Sequence, residues 1–283
     1  MIPTPALVLA GSRLGAADPL AVAAGVSHKA LLPVRGEPMI AGVLRALGAC
    51  PAVGRITVAI ERPDVLRGLV APGLPDFTVL PAESGPSASV AACLAILGTP
   101  LLVTTADHAL LQPEWIGYFL AHLSSGCDVA AAVAAAPLVL AETPGTRRTF
   151  ICLADGAVSG CNLFYFATPA SIAAVRLWHK IEMYRKRPVR LLWELGPLTA
   201  LNYALGRLDR AQLLRKFRRR TGLTAGLVDM PFGRSAIDVD TPADLDTVRA
   251  ILGELPGHQP VVGAADAQRM AVRQDRQGSK ATR

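Results

Sequence analysis

The chain has 283 residues, 51% of them hydrophobic and 18% charged, with a formal net charge of +7. This length suits one α/β core carrying an insertion, and the apolar fraction excludes a disordered chain. The longest nearly uncharged apolar run, Val129 to Ala141, is broken by Pro137 and too short to span a hydrocarbon core of about 30 Å; MIPTPALVLAG lacks the basic start of a secretory leader, so the expected location is cytoplasmic.

In chain order, short β-rich runs are expected at Ala6 to Ala10, Ile56 to Ile60, Phe77 to Leu80, Pro100 to Ala106 and Asp128 to Ala135. Between them, Pro38 to Gly48, Pro86 to Leu97 and Pro113 to Leu123 read as helices, each opening with proline at a first-turn position. Short apolar strands separated by helices predict an α/β fold: a mostly parallel, Rossmann-like three-layer sheet with ligands at the carboxyl ends of its strands. From Arg147 to Phe166, two strands joined by Asp155-Gly156 predict an antiparallel extension. The span 170–222 reads as a basic helical insertion, Leu227 to Met230 as a strand, and Thr241 to Leu252 as a capped helix. One domain over residues 1–256 is expected, followed by a disordered tail over 257–283 that is poor in large apolar residues.

The cysteines at 50, 93, 127, 152 and 161 form no CxxC pair and no zinc spacing, which predicts buried thiols in a reducing compartment. Neither GxGxxG nor GxxxxGKS is present. The first strand instead runs into Ala10-Gly11-Ser12-Arg13, a turn able to present amides to an anion, with Arg13 and Lys29 available to neutralise phosphate. Gly85-Pro86-Ser87-Ala88-Ser89 opens a helix and reads equally as a helix cap or a ligand loop. Asp107 ends an otherwise uncharged strand, either as a helix cap or as a ligand. Asp238 and Asp240 lie two apart on a segment read as extended, where paired carboxylates repel unless a cation or hydrogen bonds compensate; magnesium would do so. His28 and His108 flank these residues and are assigned no role.

The ordered set LVLAGSR, HKALLPVRGEPM, GPSAS, TTADHALL and IDVDTPADL resembles the nucleotidyltransferases with a GT-A-like fold. It is most similar to the branch containing molybdenum cofactor guanylyltransferase and the guanylyltransferase acting on adenosylcobinamide phosphate. The resemblance spans about residues 6 to 252. It implies that Ala10, Gly11 and Ser12 line the nucleotide, that Arg13 and Lys29 hold its phosphates, and that Gly85, Ser87 and Ser89 face base and ribose. It further implies Mg²⁺ on Asp107 and Asp238; Asp240 is left open as the second carboxylate of the pair or as a cap for the helix at Thr241. Arg13, Lys29 and Asp107 would be the catalytic set. This sequence has a shorter glycine loop than the family, and His28 stands where proline is common.

Residues 172 to 220 hold 13 Lys/Arg and 3 Asp/Glu, leaving 16 basic and 19 acidic side chains for the rest of the chain. Trp178, Tyr184, Trp193 and Phe217 are interleaved. A solvated helical face, a cradle for an anionic acceptor, and contact between residues 176–220 and an anionic membrane surface compete as readings, with nucleic acid the poorest partner. Arg147, Arg148 and Asn162 are further candidates for the acceptor.

The expected function is a Mg²⁺-dependent nucleotidyltransferase that takes GTP or CTP, joins the NMP to a phosphorylated small-molecule or lipid-linked acceptor, and releases pyrophosphate. Two rivals stay open: a GT-A glycosyltransferase using a nucleotide sugar, and a non-catalytic nucleotide-binding protein.

Overall fold

The computed structural model describes residues 3–12, 17–69, 71–184 and 196–254. Ten strands are formed there: β1 (Thr4–Leu9), β2 (Pro33–Val34), β3 (Glu37–Pro38), β4 (Val53–Ile60), β5 (Phe77–Pro81), β6 (Leu101–Thr105), β7 (Val129–Ala135), β8 (Ile151–Leu153), β9 (Gly156–Phe166) and β10 (Ala225–Asp229). The described helices are α1 (Pro19–Ala23), α2 (Met39–Ala49), α3 (Pro86–Leu97), α4 (Pro113–Ala121), α5 (Ala136–Glu142), α6 (Ile172–Tyr184), α7 (Pro197–Ala204), α8 (Arg210–Thr221) and α9 (Pro242–Ile251).

The main sheet runs β10-β7-β9-β6-β1-β4-β5, with β8 paired to β9. Strands β6, β1, β4 and β5 are mutually parallel, whereas β9 runs antiparallel to β6, β7 and β8. Alternation along the central strands divides the core. Ala6, Val8, Ile56 and Val58 face one layer with Ile40, Leu44, Ile116 and Phe119; Leu7, Leu9, Ala59 and Val103 face the other with Val90, Cys93 and Val175. Strands buried on both faces must be apolar throughout, as the runs in β1 and β4 are.

The expected α/β sheet is therefore present, with the Asp155-Gly156 hairpin as its antiparallel extension. Three features were not expected from the sequence: α1, α5 and the β2–β3 ribbon. The ribbon turns through Arg35 (φ 53°) and Gly36 (φ 75°), the positive-φ pair of a tight hairpin. The region expected as one basic helical insertion contains α6, α7 and α8 among its described residues, and Trp178 and Phe217 pack inward, Trp178 stacking on Phe164 at 5.8 Å. Arg185, Lys186, Arg187, Arg190 and Trp193 lie outside the described residues, as does the expected tail. All five cysteines are free thiols; Cys152 is exposed, contrary to expectation, because β8 sits at the sheet margin. No described helix is long and apolar enough to cross a membrane.

Candidate active site at the strand ends

Because β6, β1, β4 and β5 are parallel neighbours, the residues following each strand emerge along one edge. They line a cavity of about 640 Å³ that includes Gly11 and Ser12 after β1, Glu61 after β4, Glu83, Ser84, Gly85 and Ser89 after β5, and Thr105 and Asp107 at the end of β6. Ala10 is buried at the mouth of the first loop, its N–H still donating to the Ala59 carbonyl. Arg13 lies outside the described residues.

Lys29 reaches the cavity from a short 3-10 turn, Lys29–Leu31. Its Nζ donates to Asp107 Oδ2 and to Asp240 Oδ1, both at 2.8 Å. Burial alone would lower the Lys29 pKa, but the charges and hydrogen bonds of Asp107 and Asp240 outweigh it and raise the ammonium above its ordinary value. It stays charged at any physiological pH.

Asp240, though distant in sequence, is fixed beside Asp107 by backbone: the Val239 N–H donates to the Asp107 carbonyl at 3.0 Å. The adjacent helix α9 is capped by Thr241, whose hydroxyl accepts from the Asp244 N–H, while Asp244 accepts the amides of Thr241 and Asp240. This capping box leaves the Asp240 side chain for Lys29 and decides between the two readings of Asp240 against the cap. The sequence held the signal: Thr241 with Asp244 three residues on is itself a cap pattern.

Asp238 is placed differently from its expected metal-ligand role. It is 8% exposed, is absent from the cavity lining, and is held by the Arg148 guanidinium and by Asn162 Nδ2 at 2.8 Å. Burial, the largest influence, raises its carboxyl above the ordinary range, against the lowering pull of Arg148. Arg148 and Asn162, expected to face an acceptor, are thus committed to Asp238. The physical reason is that the segment 237–240 joins no strand and bends at Asp240, so the rule that puts residues two apart on one side does not hold, and the two carboxylates enter different surroundings. Arg147 is exposed and takes no part in the cavity lining.

The loop before α3 is also rearranged relative to expectation. Ser87 is fully buried and turned away from the cavity, donating to Glu182 Oε2 at 2.7 Å and lying 3.0 Å from His179 Nδ1. A Cβ at Gly85 would approach Glu182 Oε1 to 2.8 Å, so a side chain there would displace the carboxylate end of Glu182. Ser89 Oγ accepts from the Glu83 N–H and donates to the Gly85 carbonyl, shaping the loop from within. Gly85 and Ser89 line the cavity as expected; Ser87 does not.

Glu61, Glu83 and Asp18 are cavity residues that sequence reasoning missed. The Glu61 carboxylate accepts the Ser12 N–H at 3.2 Å and lies 3.6 Å from His28 Nε2; Asp18 caps α1 and accepts from the Ser12 hydroxyl at 3.4 Å. The strand-end rule could have found Glu61 and Glu83, since each follows a β-rich run.

The described lining thus carries five carboxylates and one ammonium. Asp107 Oδ1 is buried and has no hydrogen-bond partner among the described residues. A buried carboxylate oxygen without a donor is costly, and a divalent cation there would offset that cost. Two protein carboxylates with phosphate oxygens completing the shell is how Mg²⁺ prefers to bind, so Asp107 and Asp240 fit the ion. Among the described residues, no cluster of three or more His, Cys, Asp or Glu forms a closed metal cage.

Comparison with known proteins places this arrangement in context. Residues 6–155 match the family model for the MobA-like NTP transferase domain. A 3-deoxy-manno-octulosonate cytidylyltransferase of Rhodopseudomonas palustris (strain BisB5) is 28% identical over 239 residues, covering 80% of this chain and 91% of that protein. A hypothetical transferase of Thermus thermophilus superposes with a TM-score of 0.75 at 29% identity, covering 86% of this chain and all of that one. A CMP:2-keto-3-deoxy-manno-octonic acid synthetase in complex with CTP has the same fold, with a TM-score of 0.52 at 15% identity over 88% of this chain and 98% of its own.

Proposed function

Because the chain belongs to the MobA-like NTP transferase domain family and is therefore a nucleotidyltransferase, we propose that it transfers a cytidylyl group from CTP to an oxygen of an anionic acceptor. The observation that carries this reading is the bridge of Lys29 to Asp107 and Asp240 at the strand-end cavity. GTP and CTP are both compatible with the sequence; CTP is preferred because the relative from Rhodopseudomonas palustris is named a cytidylyltransferase.

An acceptor oxygen attacks the α-phosphorus, the bond to the bridging oxygen breaks, and pyrophosphate departs with the electron pair. A phosphorylated acceptor attacks through a phosphate oxygen that is already ionised, so positioning matters more than proton removal. Lys29, held charged in a partly dry site, neutralises negative charge on the phosphates as it accumulates. Gly11 and Ser12 bring backbone close to the nucleotide, and Gly85 and Ser89 border the base and ribose. Asp107 and Asp240 would hold Mg²⁺, which would supply Lewis-acid neutralisation of phosphate charge. Asp238, with Arg148 and Asn162, positions the segment that carries Asp240. The single domain over residues 1–256, with its helical insertion, is proposed as the functional unit.

The test is pyrophosphate release from each of the four nucleoside triphosphates with Mg²⁺, against a panel of sugar phosphates, polyol phosphates and sugar acids. CTP is expected to support turnover, and Lys29→Ala to reduce it by about 10²–10³-fold, the range for removing one charge-stabilising group. Pyrophosphate release by Lys29→Ala at the parent rate contradicts the proposal; GTP-dependent release alone contradicts only the choice of base.

A further inference from the structure

The strongest feature outside the cavity is α7, whose amphipathicity is inverted. Thr199 is buried on its inner side, while Leu198, Leu201 and Leu205, at the end of the helix, are 64%, 53% and 54% exposed. At 100° per residue, Leu198, Leu201 and Leu205 fall within one narrow arc on the side away from Thr199. A helix that turns three leucines to water needs a reason, since scattered single exposures are ordinary but an aligned stripe is not.

The neighbouring helix supplies the second observation. α8 packs beside α7 through Lys216, which donates to Thr199 Oγ1. Its sequence, RAQLLRKFRRRT, contains no acidic residue, and Arg215, Arg218 and Arg219 are exposed. Arg207, in the turn between the two helices, is exposed as well. An apolar ridge and a cationic flank thus occupy adjoining helices.

We infer that α7 and α8 together form a docking surface for an anionic lipid bilayer, with the leucines entering the headgroup boundary and the arginines facing acidic lipids. An interfacial helix requires this pair of features, buried apolar area and a basic flank, and anionic headgroups attract such cations within a Debye length. A second copy of the chain fits poorly, because a self-complementary contact would bring like charges together. A nucleic acid would satisfy the arginines but leave the leucine stripe in water. This surface uses no residue of the cavity lining, so the inference stands apart from the proposed activity.

The test is co-sedimentation of the full chain with vesicles of phosphatidylcholine alone or of phosphatidylcholine with phosphatidylserine, at low and high salt. The chain is expected to pellet with the phosphatidylserine vesicles, to stay in solution with phosphatidylcholine alone, and to be released by salt. Arg215→Gln and Arg219→Gln are each expected to weaken binding about fivefold, the equivalent of about 1 kcal/mol per charge. Leu201→Asp is expected to abolish it, and Leu201→Ser to weaken it should the aspartate variant fail to fold. Pyrophosphate release is expected to be unchanged in all four. The inference is overturned if the chain remains in solution with phosphatidylserine vesicles, or if the leucine variants bind them as the parent does. Equal binding to a polyuridine strand with that same insensitivity would identify a general polyanion surface. A shift from oligomer to monomer in Leu201→Asp, without any vesicle binding by the parent, would identify a self-interface.

Discussion

Lys29, inside the cavity, and His108, one residue from Asp107, acquire opposite electrostatic fates. Lys29 keeps its charge because two carboxylates surround it. His108, next in sequence to Asp107, is fully buried near Trp115, at 6.0 Å between ring centroids, and burial pushes its pKa down to about 4. It is neutral in the native protein and protonates in the unfolded chain near 6.5. The unfolded state therefore binds more protons in that interval, so stability is full above about 6.5 and falls as pH drops towards 4, by up to about 1.4 kcal/mol per pH unit. Asp238, raised by burial, acts in the reverse sense, gaining a proton more readily in the folded state. Urea denaturation across this range is expected to give a flatter pH profile for His108→Leu than for the parent. An unchanged slope would remove His108 from the acid response.

At the same scale, Gly11, Ser12 and Asp107 were legible because each follows or closes an apolar strand run, Gly85 and Ser89 because they open a helix after one, and Lys29 because it is a cation in a motif that resembles the family's. It did not distinguish Asp238 from Asp240. Both are aspartates beside a valine, and only the backbone bond from Val239 to Asp107 decides which one meets Lys29.

Among the elements, β9 does most to shape the neighbourhood of Asp238. Its pairing with β7 passes from Ala131–Phe164 to Val133–Gly160, so it carries extra residues there, and Asn162 in this bulge has φ 49°. That left-handed turn directs the amide to Asp238. Asn162→Gly keeps the backbone and loses only the bond; Asn162→Val adds the strain of a β-branched residue at positive φ, about 1–3 kcal/mol. Thermal melts are expected to rank parent, glycine variant, valine variant in falling stability. Equal melting of the two variants would mean that the bulge relaxes without cost.

The parallel strands and the Asp155-Gly156 hairpin were readable because their signals are local: apolar runs, prolines at helix starts, a turn dipeptide. The helix α5 was not, since the whole run from Val129 to Ala141 is apolar and has no period separating strand from helix. The close seating of α6 on Gly85 was equally hidden, because Glu182 and Ser87 meet only through tertiary packing.

Over the whole molecule, charge is divided by region. The cavity lining is acidic apart from Lys29, while the excess of cations lies in the span of α6 to α8. A polyanionic nucleotide is repelled by such a lining unless a cation offsets it, so the proposed activity predicts that nucleotide binding depends on Mg²⁺. The sequence revealed the imbalance but not its geometry, because the acidic residues come from five separate loops and converge only when the parallel strands align.

The most direct measurement is the CTP-induced rise in melting temperature, with and without Mg²⁺, in the parent and in Asp107→Asn, Asp240→Asn and Asp238→Asn. Binding to the native state alone raises the midpoint by mass action. The parent is expected to respond only when Mg²⁺ is present, Asp107→Asn and Asp240→Asn to lose that response, and Asp238→Asn to melt lower yet retain it. A full response in Asp240→Asn together with its loss in Asp238→Asn, or stabilisation of the parent by CTP in a chelator, would contradict the site described here.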